Sequence, residues 1–216
     1  MLSVMRKHPF VTGEYYHIYN RGTDKRDIIL DKSDLKRFFR SLVEFNNIEP
    51  VGSIYLKNLK KYKLKDLSSP TTQKLVSIIS YCINPNHFHL ILSPITEGGI
   101  EKYMQRIGGY TRYFNEKYKR SGVLFQGKFK SKIILEDRYL MQLSAYVNFN
   151  NLDKNLNLIS DLSQSSLLEY TSDEKQEEIC DKSIILNNFK NKKEYYKEAK
   201  SLWFDTLKRK EEIKIE

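Results

Sequence analysis

Two of the chain's four histidines flank a single residue in Pro85-Asn86-His87-Phe88-His89-Leu90. In an extended strand residues two apart project to the same face, so His87 and His89 stand side by side while Phe88 points the other way. Two neighbouring imidazoles are a bidentate platform for a metal ion, although the same pattern also describes two partly exposed strand histidines. Tyr146 and Asn150 are the candidates to complete such a site. Four residues apart in a segment of helical periodicity, they fall on one helical face. A helix laid across the sheet would then offer a phenol and an amide oxygen to the same ion. The plainer alternative is a core tyrosine and a helix terminator, and with fifteen tyrosines most must serve packing.

The elements that would position these residues are legible in outline. Residues 15–19 (YYHIY) are aromatic and β-branched and stop at Asn20-Arg21-Gly22, a strand followed by a turn. Ser33 or Asp34 can cap a helix carrying Leu35, Phe38, Phe39 and Leu42. Residues 75–83 and 88–92 are apolar runs separated by Asn84-Pro85-Asn86, which predicts an antiparallel hairpin with the histidine pair on its second strand. Residues 100–117 have helical spacing, residues 130–135 predict a strand, and Asp137 opens a helix over 138–151. The order strand, helix, strand, strand, helix, strand, helix predicts an α+β fold. Its expected form is a ferredoxin-like antiparallel sheet with helices on one face, plus a C-terminal helical extension.

Charge divides the chain in two. The 216 residues carry a net charge of +10, and the stretch from Asp173 onward contains eleven acids and eleven bases. The whole excess therefore lies in residues 1–172, and a basic surface there favours a polyanionic partner. It is densest at 57–65 (KNLKKYKLK), read as a solvated loop, and at 117–132 (KYKRSGVLFQGKFKSK), where aromatic and basic residues interleave. Such mixtures let bases stack on rings while ammonium groups follow phosphates; a hairpin with Phe inward and Lys outward gives the same pattern. Cys82 and Cys180 form no CxxC motif, so neither a disulfide framework nor a thiolate zinc site is expected. With no apolar run long enough to span a bilayer and no secretory leader, a cytoplasmic, non-membrane protein is expected.

The motifs together resemble the single-tyrosine HUH transposases of the insertion-sequence-200-like group, and most closely the REP-associated tyrosine transposases. The resemblance runs through residues 16–22 (YHIYNRG), 85–90 (PNHFHL), 110–115 (YTRYFN), 121–131 (SGVLFQGKFKS) and 146–150 (YVNFN), and extends to Ser165-Ser166 and Tyr170. It implies a transposase domain over residues 1–172 and a helical extension over 173–216. It also implies His87, His89 and Asn150 as ligands of a divalent cation, Mg²⁺ or Mn²⁺, and Tyr146 as the nucleophile that forms a 5′-phosphotyrosine with single-stranded, hairpin-forming DNA. The chain departs from the pattern at Asn150-Asn151, where Asn-Pro is usual, and at Phe125 and Lys128, where an indole and an arginine are common. Arg21, Arg112, Lys128 and Lys130 are the candidates for phosphate contacts, and Phe125 and Phe129 for base stacking. His17 reads as a supporting residue rather than a ligand. Two other readings stay open from sequence: a non-catalytic single-stranded nucleic-acid-binding protein, and a metal-dependent hydrolase. Whether one chain or a homodimer completes the site is open too.

Overall fold

A computed structural model describes residues 9–49, 73–174 and 177–215. Their strands are β1 (Tyr15–Arg21), the hairpin of β2 (Val76–Asn84) and β3 (His87–Pro94), β4 (Lys130–Ile134) and the short β5 (Gln164–Ser165). The α-helices are α1 (Lys32–Glu44), α2 (Gly99–Gly108), α3 (Tyr110–Lys117), α4 (Asp137–Phe149), α5 (Leu167–Thr171), α6 (Ser183–Leu186) and α7 (Lys192–Ile215). The sheet order is β4-β1-β3-β2-β5, with every adjacent pair antiparallel. Its first four strands have the split βαβ arrangement of a ferredoxin-like sheet, in which β3 lies between the mutually parallel β1 and β2. The basic run at 57–65 lies outside the described residues.

Alternation along the strands separates two cores. Tyr16, Ile18, Phe88, Leu90 and Leu92 join α1, α2 and α3 on one side. Ile79, Cys82 and Ile91 face α4, α5 and α7 on the other. The α+β class and antiparallel sheet are as expected, but helices cover both faces rather than one. The second face carries its own apolar residues, and these require a cover. Helix α4 supplies it while itself being covered by α7, which is why Leu140, Leu143, Ala145, Val147, Asn148 and Phe149 are all buried. The extension beyond residue 172 is thus built into the second core.

Local differences from expectation have simple causes. Asp31, not Ser33 or Asp34, caps α1, its side chain accepting from the Asp34 amide at 2.9 Å. Asp34 is fully buried instead, where its carboxylate accepts from Tyr113, Lys117 and Tyr118 of α3 and the residue that follows it. The single helix expected over 100–117 is divided at Gly108-Gly109 into α2 and α3. Gly22, after β1, lies so close to the Arg26 carbonyl that a Cβ would fall 2.1 Å from that oxygen. Only glycine fits this close approach, which carries the chain away immediately after Arg21.

The α4–α7 contact is the main anchor of the extension. Phe149 stacks on Trp203 with ring centroids 5.4 Å apart, and Asn148 bonds both Tyr195 and Ser166. Trp203 is 1 % exposed, so Trp203→Ala is expected to cost about 3–5 kcal/mol of stability. Urea unfolding followed by circular dichroism checks this; an unchanged midpoint would show that α7 is not part of the cooperative core. No helix among the described residues is long and apolar enough to cross a membrane.

Candidate active site

The hairpin register sets the floor of the site. On β3, His87 and His89 lie opposite Arg21 and Tyr19 of β1 and opposite Asn84 and Cys82 of β2. Phe88 enters the other core and is 2 % exposed. The two imidazoles meet edge to face, 5.2 Å between centroids. Tyr146, in the last turns of α4, meets the His89 ring edge to face at 5.7 Å, and Asn150 follows as the C-cap of the same helix. His87, His89 and Tyr146, with Tyr19, Asn20, Arg21, Gln126 and Lys130, line a cleft of about 300 Å³. All four predicted site residues therefore converge within one chain.

Hydrogen bonds fix which atoms face the cleft. Asn86 points its Nδ2 at the Lys25 carbonyl, 3.5 Å away, leaving Oδ1 to accept from His87 Nδ1 at 2.5 Å. His87 Nδ1 thus carries the proton and Nε2 presents a lone pair. That Nε2 lies 3.2 Å from Asn150 Oδ1. The orientation of the Asn150 amide is set in turn by Asn84, whose Nδ2 donates to Asn150 Oδ1 at 2.8 Å and also faces the Asn150 main-chain oxygen at 3.4 Å. Turning Asn84 over would set its oxygen against that carbonyl. Two lone-pair donors on separate elements consequently face one another, and the Asn84 amide nitrogen, 2.8 Å from Asn150 Oδ1 and 3.3 Å from His87 Nε2, stands between them as their shared donor. A metal cation would take over both lone pairs from Asn84, whereas protonating the imidazole is costly because it is buried. The C-terminus of α4, with its partial negative charge, faces the same point.

His89 is held by His17, whose Nε2 lies 2.9 Å from His89 Nδ1. When His89 donates in this pair, its own Nε2 is bare as well, the usual way a neighbouring group fixes the tautomer of a metal-binding imidazole. Burial, followed by the positive charges of Lys132 and Lys210, lowers the pKa of His17 to about 4. Burial likewise lowers His87, and it holds His89 well below the ordinary histidine range, with His17 and His87 adding to the effect. All three are neutral at neutral pH, the form in which they donate to metals. Among the described residues no three His, Cys, Asp or Glu side chains form a metal-holding group. A cation here would rest on two imidazoles and an amide oxygen, with positions left open for oxygen ligands. Two nitrogen donors depart from the all-oxygen shell that Mg²⁺ prefers and suit a first-row divalent ion such as Mn²⁺ better.

The expected DNA-contacting residues separate into two groups. Arg21 and Lys130 line the cleft itself. Phe125, Lys128 and Phe129 line a larger groove of about 990 Å³ that shares Tyr19, Asn20 and Lys130 with the cleft and continues past Met104 and Gln105 of α2. Arg112 joins neither. It lies on the exposed side of α3, where its Nε bonds Glu116 at 2.7 Å. Asn84, Asn86 and Lys210 were not anticipated from sequence. The two asparagines border the histidine motif, and Asn84 shares the face of Cys82 by strand alternation, a signal present in the sequence but ambiguous beside a turn. Lys210 is brought in only by the path of α7.

The family described as "Transposase IS200 like" matches residues 53–150, a stretch that includes His87, His89, Tyr146 and Asn150. Among solved structures the chain is similar to a REP-associated tyrosine transposase bound to a REP hairpin. The two are 13 % identical, the match covers 69 % of this chain and 72 % of that one, and the TM-score is 0.45. No curated protein matches the chain.

Proposed function

Taking as premise that residues 53–150 match the IS200-like transposase family, we propose that this chain is a DNA nickase and strand transferase acting through Tyr146. Its substrate is single-stranded, hairpin-forming DNA, the class that the resemblance implies. The observation that carries the reading is the meeting of Tyr146, His87 and His89 in one cleft, with Asn150 Oδ1 3.2 Å from His87 Nε2. A nucleic-acid-binding module has no need of that arrangement.

In this reading Arg21 and Lys130 hold the strand in the cleft by its phosphates, and Phe125 and Phe129 meet bases in the adjoining groove. The Tyr146 oxygen attacks phosphorus in line. Its bond to phosphorus forms as the bond to the 3′ oxygen breaks; the phenol proton is lost to water and the departing oxygen becomes a 3′-hydroxyl. The strand downstream of the cut remains attached as a 5′-phosphotyrosine, and attack by another 3′-hydroxyl reverses the step. His87, His89 and Asn150 would hold the divalent ion, Mg²⁺ or Mn²⁺, which supplies charge withdrawal from the non-bridging phosphate oxygens.

The test is denaturing electrophoresis after incubating the protein and a divalent ion with hairpin DNA labelled at either end. A strand labelled at its 3′ end should shift to a protein-sized band, while one labelled at its 5′ end should be released as a shorter, protein-free fragment. Cleavage of both without any protein-linked band would assign the site to a hydrolase, and binding without cleavage to a binding module. Asn84 gives a finer check. Asn84→Ala frees the Asn150 amide to turn and is expected to weaken Mn²⁺ binding about 10- to 100-fold, read by Mn²⁺ electron paramagnetic resonance. Affinity equal to the unaltered protein's would show that Asn150 needs no such support.

A further inference from the structure

The buried stripe of α7 runs through Tyr195, Ala199 and Trp203 and on to the half-buried Leu207, each packed into the second core. Continuing it by one turn reaches Lys210, where an apolar residue would complete the pattern. The charge has a specific place. Lys210 Nζ sits 4.0 Å from the centroid of the Tyr146 ring, over the face of the residue that the proposed reaction uses as its nucleophile. Its field is felt by His17, His87 and His89 alike, so the ammonium stands on the cleft side of α4. Among the described residues the other ammonium–ring pairs of the second core, Lys132 with Tyr139 and Lys200 with Phe204, lie at 5.0 and 5.9 Å, and none of these four residues lines the cleft.

From this placement, and resting on the strand-transfer reading above, we infer that Lys210 is a catalytic residue which meets the scissile phosphate beside Tyr146, making the C-terminal helix part of the active site. The chemistry is direct. A phosphoryl group bonding to the Tyr146 oxygen passes through a transition state whose equatorial oxygens carry the negative charge. An ammonium over the attacking ring is within a lysine side chain's swing of those oxygens, and leaving the ring for the phosphate exchanges a weak cation–π contact for a charge-assisted hydrogen bond. Between turnovers the ring holds the ammonium in place. Helix α7 therefore has two tasks, covering α4 through Trp203 and delivering one positive charge through Lys210.

Three variants test this with the full chain: Lys210→Ala, Lys210→Arg, and Lys208→Ala as an exposed neighbour. At saturating hairpin DNA with Mn²⁺, Lys210→Ala should lower the single-turnover rate of adduct formation about 10- to 100-fold, with Lys210→Arg recovering most of it and Lys208→Ala leaving it unchanged. A second measurement needs neither metal nor turnover. The salt dependence of binding to a single strand spanning the cleavage position, in EDTA, should fall by about one phosphate contact in Lys210→Ala alone. Adduct formation by the unaltered protein with no change in rate or salt slope for Lys210→Ala would overturn the inference and leave the strand-transfer reading standing. Absence of any adduct from the unaltered protein would overturn the strand-transfer reading and, with it, a catalytic role for Lys210; the salt slope would still report whether Lys210 touches phosphate.

Discussion

Tyr146→Phe is expected to abolish the protein-linked band altogether, a loss of roughly 10⁴-fold or more in rate, while hairpin binding stays within about threefold of the unaltered protein. The size of the first effect follows from the chemistry: without the phenol oxygen nothing remains to bond to phosphorus, and no partial contribution survives. The smallness of the second follows from the surroundings. Phenylalanine keeps the ring that meets His89 edge to face at 5.7 Å and that lies under Lys210 at 4.0 Å. The fold and the cleft should persist, which melting temperature and gel-shift affinity can verify in the same preparation. A Tyr146→Phe protein that still captures 3′-labelled DNA would move the nucleophile to another tyrosine. Tyr19, which also lines the cleft, would then be the first to examine.

His87→Ala is expected to remove both metal binding and adduct formation. His87 provides the lone pair facing Asn150 Oδ1 at 3.2 Å, and alanine leaves the amide oxygen and His89 as a two-donor site on different elements. An ion at a hundred times its dissociation constant stabilises the folded state by about 2.7 kcal/mol. At roughly 2–4 °C per kcal/mol for a chain of this length, Mn²⁺ should raise the melting temperature of the unaltered protein by about 5–10 °C. In His87→Ala that rise should vanish, and adduct formation should fall at least about 1000-fold, to the level that EDTA imposes on the unaltered protein. DNA binding measured in EDTA should be unaffected, because Arg21, Lys128 and Lys130 remain. A full Mn²⁺-dependent rise in His87→Ala would mean that the ion binds elsewhere.

Much of this site could be read in advance because its chemistry is local. His87-Phe88-His89 is a statement about one strand, Tyr146 and Asn150 about one helix, and alternation or helical spacing alone gives their faces. The element order likewise follows from short-range signals, and with it the α+β sheet. Other features depended on competition between distant groups. Asp31 rather than Asp34 caps α1 because Asp34 is drawn into a buried cluster with Tyr113, Lys117 and Tyr118, more than seventy residues away. Arg112 looked equivalent to Lys128 and Lys130 as a cation near aromatic residues, but it faces outward from α3 and bonds Glu116, on its own helix.

The charge-neutral C-terminal stretch gives the sharpest contrast. Composition showed only that residues 173–216 add nothing to the basic excess and have amphipathic periodicity. Net charge is a sum and carries no positions, so it could not reveal that one ammonium of that stretch reaches Tyr146. The sequence alone determined which residue types could do chemistry and the local geometry within each element, since backbone periodicity sets both. Only the tertiary structure decided that helices cover both faces of the sheet, that Asn84, Asn86 and His17 orient the side chains of His87, His89 and Asn150, and that α7 carries Lys210 over the Tyr146 ring. Those facts come from packing between segments as far as about 120 residues apart, as Tyr15 is from its strand partner Ile134, where contacts are settled by burial of whole faces rather than by any spacing visible along the chain.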